Sequence, residues 1–184
     1  GETNMSTTVS DPSQTDAGAE VTPIDHWIDG KRVPGTSGRT GPVYDPARGR
    51  QTGAVALASS DEVNAAVASA KAAFPDWRAV SLGKRAEMFF KIRELAHAHR
   101  EDIARLLTAE HGKVLSDAMG EVARGLEVIE YACGIPTLLK GGFSEQASTG
   151  IDVYSIRQPI GVVAGITPFN FPAMVPMWMY PIAL

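Results

Sequence analysis

Apolar residues recur at helical spacing through the middle of the chain, and the pattern changes character after Pro136. Val63, Ala66, Val67, Ala70 and Phe74 share one face of a first helix, which Ser59, Ser60 or Asp61 can cap and Pro75 is expected to end or kink. A second helix, from about Lys84 to Arg100, turns Met88, Phe89, Ile92, Leu95 and Ala96 inward. A third, from about Asp102 to Glu110, stops at Gly112. A fourth, from about Ser116 to Cys133, carries Ala118, Val122, Ile129 and Ala132 on one stripe and ends before Gly134 and Pro136. The spacing thus predicts an alanine-rich helical block.

The flanks read as extended chain. Order is expected from near Ile24, and Asp29-Gly30 between two short apolar runs predicts a hairpin over His26 to Val33. A turn surrounds Tyr44-Asp45-Pro46, and Gln51 to Ala58 reads as a strand leading into the first helix. Beyond the helices, Gly141 and Gly142 break the chain, and the alternation of Asp152, Tyr154 and Ile156 predicts a strand from Gly150 to Gln158. Pro159 to Ile166 is continuously apolar, as suits a strand buried on both faces of a parallel sheet. A loop from Thr167 to Phe171 and a helix from Pro172 follow, with proline in the first turn. In open α/β sheets ligands sit at the carboxyl ends of strands, so this geometry alone puts Asn170 in a functional position.

Charge and composition narrow the function classes. The formal net charge is −4 and no run of Lys and Arg occurs, which argues against a nucleic-acid partner. Residues 1–22 contain no Lys or Arg and few apolar side chains, so they match neither a secretory signal nor a transit peptide and read as a disordered tail. Gly1 to Asn4, ahead of Met5, read as a possible remnant of expression. The single cysteine, Cys133, excludes an internal disulfide, and a reducing, cytoplasmic setting is expected. Cys133 lies on the apolar stripe of the fourth helix and reads as a core residue. His26, His97, His99 and His111 have no ligand spacing, so no metal site is expected. Gln158 to Leu184 carries no charge and is long enough to suggest a membrane span, but five prolines and Asn170 interrupt it. A buried strand and helix suit these residues better.

Ile166-Thr167-Pro168-Phe169-Asn170-Phe171-Pro172, preceded by Gln158-Pro159-Ile160-Gly161-Val162-Val163, resembles the motif that aldehyde dehydrogenases carry in their cofactor domain. Glu110-His111-Gly112-Lys113 resembles the E-x-G-K turn of the same family, and the resemblance runs from about Ile24 to Leu184. Gly120 to Gly125, Gly134-Ile135-Pro136 and Phe169 to Pro176 are similar to the CoA-acylating methylmalonate-semialdehyde dehydrogenase branch.

The resemblance implies an α/β fold, the amino-terminal part of an aldehyde dehydrogenase, with a helical block packed on the start of a Rossmann-like parallel sheet. It divides the chain into the tail (1–22), a largely helical part of the cofactor domain (23–141), an oligomerisation strand or hairpin (142–159) and the start of the sheet (160–184). It implies that Asn170 donates to the oxyanion, and that Ile166, Thr167, Pro168 and Phe169 line the nicotinamide end of an NAD site. It assigns Arg124 to the carboxylate of a semialdehyde substrate. Coenzyme A would be the co-substrate, the enzyme a homo-oligomer, and the product propanoyl-CoA or acetyl-CoA. The family binds its cofactor without Gly-x-Gly-x-x-Gly, so the absence of that fingerprint here carries no weight. The family's nucleophilic cysteine would lie beyond Leu184, so these 184 residues alone are expected to be inactive. NAD against NADP stays open. So do a hydrolytic betaine-aldehyde or succinate-semialdehyde type of enzyme and a noncatalytic assembly module.

Overall fold

The computed structural model describes residues 20–184, so most of the tail, including Gly1 to Asn4, lies outside the described residues. The first element among the described residues is β1 (Thr22–Ile24), which pairs in parallel with β5 (Arg50–Ala56). Between them lie β2 (His26–Ile28), β3 (Lys31–Val33) and β4 (Thr40–Asp45). β2 and β3 form the expected hairpin. Asp29 and Gly30 both take positive φ, at 54° and 68°, the paired left-handed geometry whose twist matches the strands. β4 is antiparallel to β5, which gives the sheet order β1-β5-β4.

Five helices and a hairpin follow: α1 (Ser60–Ala79), α2 (Leu82–Ala98), α3 (Arg100–His111), α4 (Leu115–Ala132), the short α5 (Ile135–Leu138), then β6 (Phe143–Ser148) and β7 (Ile151–Tyr154). The last element is α6 (Met174–Ala183). α4 is the hub, packing against α2, α3 and α6. Its stripe of Ala118, Val122, Ile129 and Ala132 is fully buried, as its spacing predicts. Ala104 and Leu107 of α3 close one side of the stripe, and Phe89 of α2 with Met177 of α6 closes the other. Burying a side chain the size of Phe89 or Ile129 contributes about 1.5–3 kcal/mol.

Five expectations are corrected. α1 does not stop at Pro75 but runs on to Ala79; Pro75 and Lys71 are exposed, so the carbonyl that proline leaves without a partner can be solvated. Val63 and Val67 of its apolar face stand about half exposed, as does Leu95 of α2, because no element among the described residues covers them. The strand expected over 150–158 is shorter, ending at Tyr154, and pairs with β6, which the alternation missed. Pro159 to Ile166 forms no strand: a ladder needs neighbours, and among the described residues none lies beside it. Ile160 and Ile166 are 90% and 96% exposed. Pro159, Val162 and Val163 instead border a cleft of about 270 Å³ shared with Ala70, Phe74 and Trp77 of α1. The helix expected from Pro172 begins two residues later, at Met174.

Candidate active site

The loop from Thr167 to Phe171 is tied to the helical block by one turn and one buried acid. Gly112 ends α3 in the left-handed conformation at φ 83°, its amide donating to the Thr108 carbonyl at 2.9 Å. A side chain there would meet Pro46 Cγ at 2.9 Å, so glycine answers both the backbone angle and the close approach. The residues on either side of Gly112 then reach the loop. The His111 ring lies 5.5 Å from that of Phe169, tilted at 44°. Lys113 Nζ sits 4.3 Å from the centre of the Phe171 ring, a cation–π contact. Both aromatics flanking Asn170 are therefore held from the same turn.

Glu121 of α4 completes the arrangement. It is the one buried charged residue in the described core, and its side chain is 1% exposed. Its Oε2 accepts from Lys113 Nζ at 2.6 Å, and its Oε1 accepts from the backbone amides of Ala173 at 2.8 Å and Met174 at 3.1 Å. α6 has no capping side chain of its own. Glu121 supplies one from 52 residues away, satisfying amide donors that a helix start leaves open. Lys113 spends a second donor on the Asn170 carbonyl at 3.1 Å. Burial pushes the Glu121 carboxyl up, but the Lys113 hydrogen bond, the two amides and the lysine's charge outweigh it and hold the group below the ordinary glutamate range.

Each residue expected at a site can now be placed. Ile166, Thr167, Pro168, Phe169 and Asn170 lie together on one exposed loop, and the carboxamide of Asn170 makes no hydrogen bond among the described residues. Arg124 lies on the exposed side of α4 and pairs with neither Glu121 nor Glu127. Its carbonyl accepts from the Trp178 indole at 3.4 Å, and the adjoining Gly125 admits Met177, whose Sδ would stand 2.4 Å from a Cβ placed there. Arg124 therefore sits where α4 crosses α6, one turn beyond Glu121. Cys133 is in the core, its thiol donating to the Ile129 carbonyl at 3.4 Å. Burial and the neighbouring charge of Glu130 raise its pKa, with Arg93 offsetting only part, which keeps it a poor nucleophile. Neither Lys113 nor Glu121 has a role that is legible in the sequence. One signal was present: Glu121 falls within the arc of the α4 stripe, between Ala118 and Val122, where a charge demands a partner.

A family model described as "Aldehyde dehydrogenase family" matches residues 33–184. The chain is 48% identical to malonate-semialdehyde dehydrogenase 2 of Geobacillus thermodenitrificans, a match covering 90% of this chain and 34% of that protein. It is 40% identical to the acylating methylmalonate-semialdehyde/malonate-semialdehyde dehydrogenase of Rattus norvegicus, covering 94% of this chain and 32% of the other. The crystal structure of a putative methylmalonate-semialdehyde dehydrogenase from Sinorhizobium meliloti, complexed with NAD, superposes with a TM-score of 0.85 at 51% identity. That match covers 89% of this chain and 33% of that one. The chain thus spans about a third of the length of the relatives it matches. With a matching family model over most of its length and the Asn170 loop anchored on the E-x-G-K turn, the chain belongs to the aldehyde dehydrogenase family.

Proposed function

We propose that these residues serve a CoA-acylating dehydrogenase for malonate or methylmalonate semialdehyde, with Asn170 as a donor to the oxyanion. The observation that carries this reading is the Asn170 loop, whose backbone is pinned by Lys113 while its carboxamide stays exposed and unpaired among the described residues. Such a group donates to a negative oxygen developing on the attacked carbonyl without reorganising. The exposed guanidinium of Arg124 is free to bind the substrate's carboxylate bidentately.

The loop also fits the nicotinamide end of NAD. Ile166 and Phe169 present bare apolar surface that a flat ring would cover, and Thr167 offers a hydroxyl beside them. NAD, when bound, supplies the hydride acceptor for aldehyde oxidation. The residues of this chain position the carbonyl, hold its oxygen and screen one side of the site. Cys133 is the chain's one cysteine and lies in the core, so the nucleophile is not among these 184 residues. The acyl group would leave the enzyme on the thiol of coenzyme A. The β6–β7 hairpin exposes Phe143, Ile151, Val153 and Tyr154, which supports a role in pairing identical subunits as a dimer or tetramer. No helix among the described residues is long and apolar enough to cross a membrane. A cytoplasmic setting belongs to the same proposal and rests on the single cysteine, Cys133, which suits a reducing compartment.

The test is NADH formation from malonate and methylmalonate semialdehyde, with and without coenzyme A, in the active dehydrogenase that carries this segment. Turnover that requires coenzyme A and yields the acyl-CoA supports the reading. Hydrolysis to the free acid at the same rate without coenzyme A would favour the hydrolytic type. The 184-residue chain by itself should show no turnover.

A further inference from the structure

We propose that Lys113 and Glu121 form a positioning device that fixes the backbone at Asn170 and so aims its carboxamide. The inference rests on the oxyanion reading of Asn170 and gives the E-x-G-K turn a mechanical task within it.

The geometry is a relay with one fixed end. Glu121 is rooted in the most buried helix, on the same face as Ala118 and Val122. One carboxylate oxygen grips the first amides of α6, and the other grips Lys113. Lys113 has three donors and little exposure, and it directs one of them to the Asn170 carbonyl. The Asn170 peptide is thereby fixed from its carbonyl side and the following helix start from its amide side. The Asn170 side chain, carried on the Cα bonded to that fixed carbonyl, inherits the orientation. A purely stabilising task explains this poorly, because a buried ion pair usually repays little more than its desolvation. An exposed loop that would otherwise move freely gains a defined geometry from it.

Positioning errors of about 1 Å can cost roughly 100-fold in rate, so loss of the lysine should be read in kcat. Lys113→Met is expected to lower kcat by about 10- to 100-fold with the aldehyde KM nearly unchanged, and Lys113→Arg to restore part of the loss. The decisive comparison is Lys113→Met made in an Asn170→Ala background. A device that acts through Asn170 has nothing left to aim there, so the double variant should be no slower than Asn170→Ala alone. If the two losses multiply, Lys113 does not act through Asn170 and the proposal is overturned while the oxyanion reading stands. If Asn170→Ala leaves kcat unchanged, the oxyanion reading itself fails and takes the proposal with it. In the 184-residue chain, Lys113→Met should speed amide exchange across Phe169 to Phe171; unchanged exchange there would also overturn the proposal. Should Lys113→Met fail to fold, Glu121→Gln keeps an acceptor for the α6 amides, removes the ion pair and supports the same cycle.

Discussion

Gly112 shows how much a single residue decides here. Its φ of 83° and its 2.9 Å approach to Pro46 leave no room for a side chain, and the two residues it separates both reach the Asn170 loop. Gly112→Ala should therefore destabilise the fold by about 1–2 kcal/mol from the left-handed backbone alone, visible as a lower urea midpoint at unchanged slope. Glu121 makes a pH prediction. Its folded pKa lies below the ordinary glutamate value, so its contribution is complete above that value and is lost as pH falls through the depressed one. Glu121→Gln should flatten the acid limb of the stability profile in that window; an unchanged limb would mean the ion pair is not formed. Asn170 stood out as a candidate because its flanking aromatics and prolines form a specific motif. Glu121 was not: helical spacing finds apolar stripes, and it is silent about which distant amide a buried acid will meet. Arg124 stands exposed on α4, and its substrate role is left to the assay.

At the scale of elements, local signals were read well and long-range ones poorly. The start of α1 is a complete capping box: Glu62 N donates to Ser59 Oγ at 3.2 Å, and Ser59 N donates back to Glu62 Oε2 at 2.7 Å. The amide and hydroxyl of Thr36 also donate to Glu62, at 2.6 and 3.0 Å, which ties the strand region to the helix. Ser59→Ala should cost about 0.5–2 kcal/mol in thermal or urea unfolding. The Ser59 amide, then the Thr36 amide and the Ser59 hydroxyl, lower the Glu62 pKa from 4.5 to about 2. Its contribution is accordingly present above 4.5 and lost as pH falls toward 2, and Glu62→Gln should remove that dependence. The four long helices were legible from spacing and caps to within a few residues. β1, β4 and β6 were not, because short strands owe their existence to partners elsewhere in the chain. The same dependence explains the apolar run from Pro159 to Ile166, which has strand composition but no ladder.

For the whole molecule, the distribution of apolar surface is the informative feature. The core on α4 is complete, yet Ile160, Ile166, Tyr154 and Phe143 stand largely exposed. Together with a match over about a third of the relatives' length, this surface predicts that the isolated 184-residue chain binds apolar dyes and self-associates, which sedimentation at several concentrations would show. A chain that stays monomeric and dye-free at high concentration would contradict that prediction. The central claim, that the Asn170 loop stabilises an oxyanion in an acyl-CoA-forming dehydrogenase, is tested most directly by one comparison. Coenzyme A-dependent NADH formation from methylmalonate semialdehyde should be measured for the active dehydrogenase with Asn170 intact and as Asn170→Ala. The account predicts a coenzyme A-dependent rate that falls roughly 100- to 1000-fold in the variant, the cost of one lost oxyanion donor. A rate that needs no coenzyme A, or that survives the loss of Asn170, would contradict it.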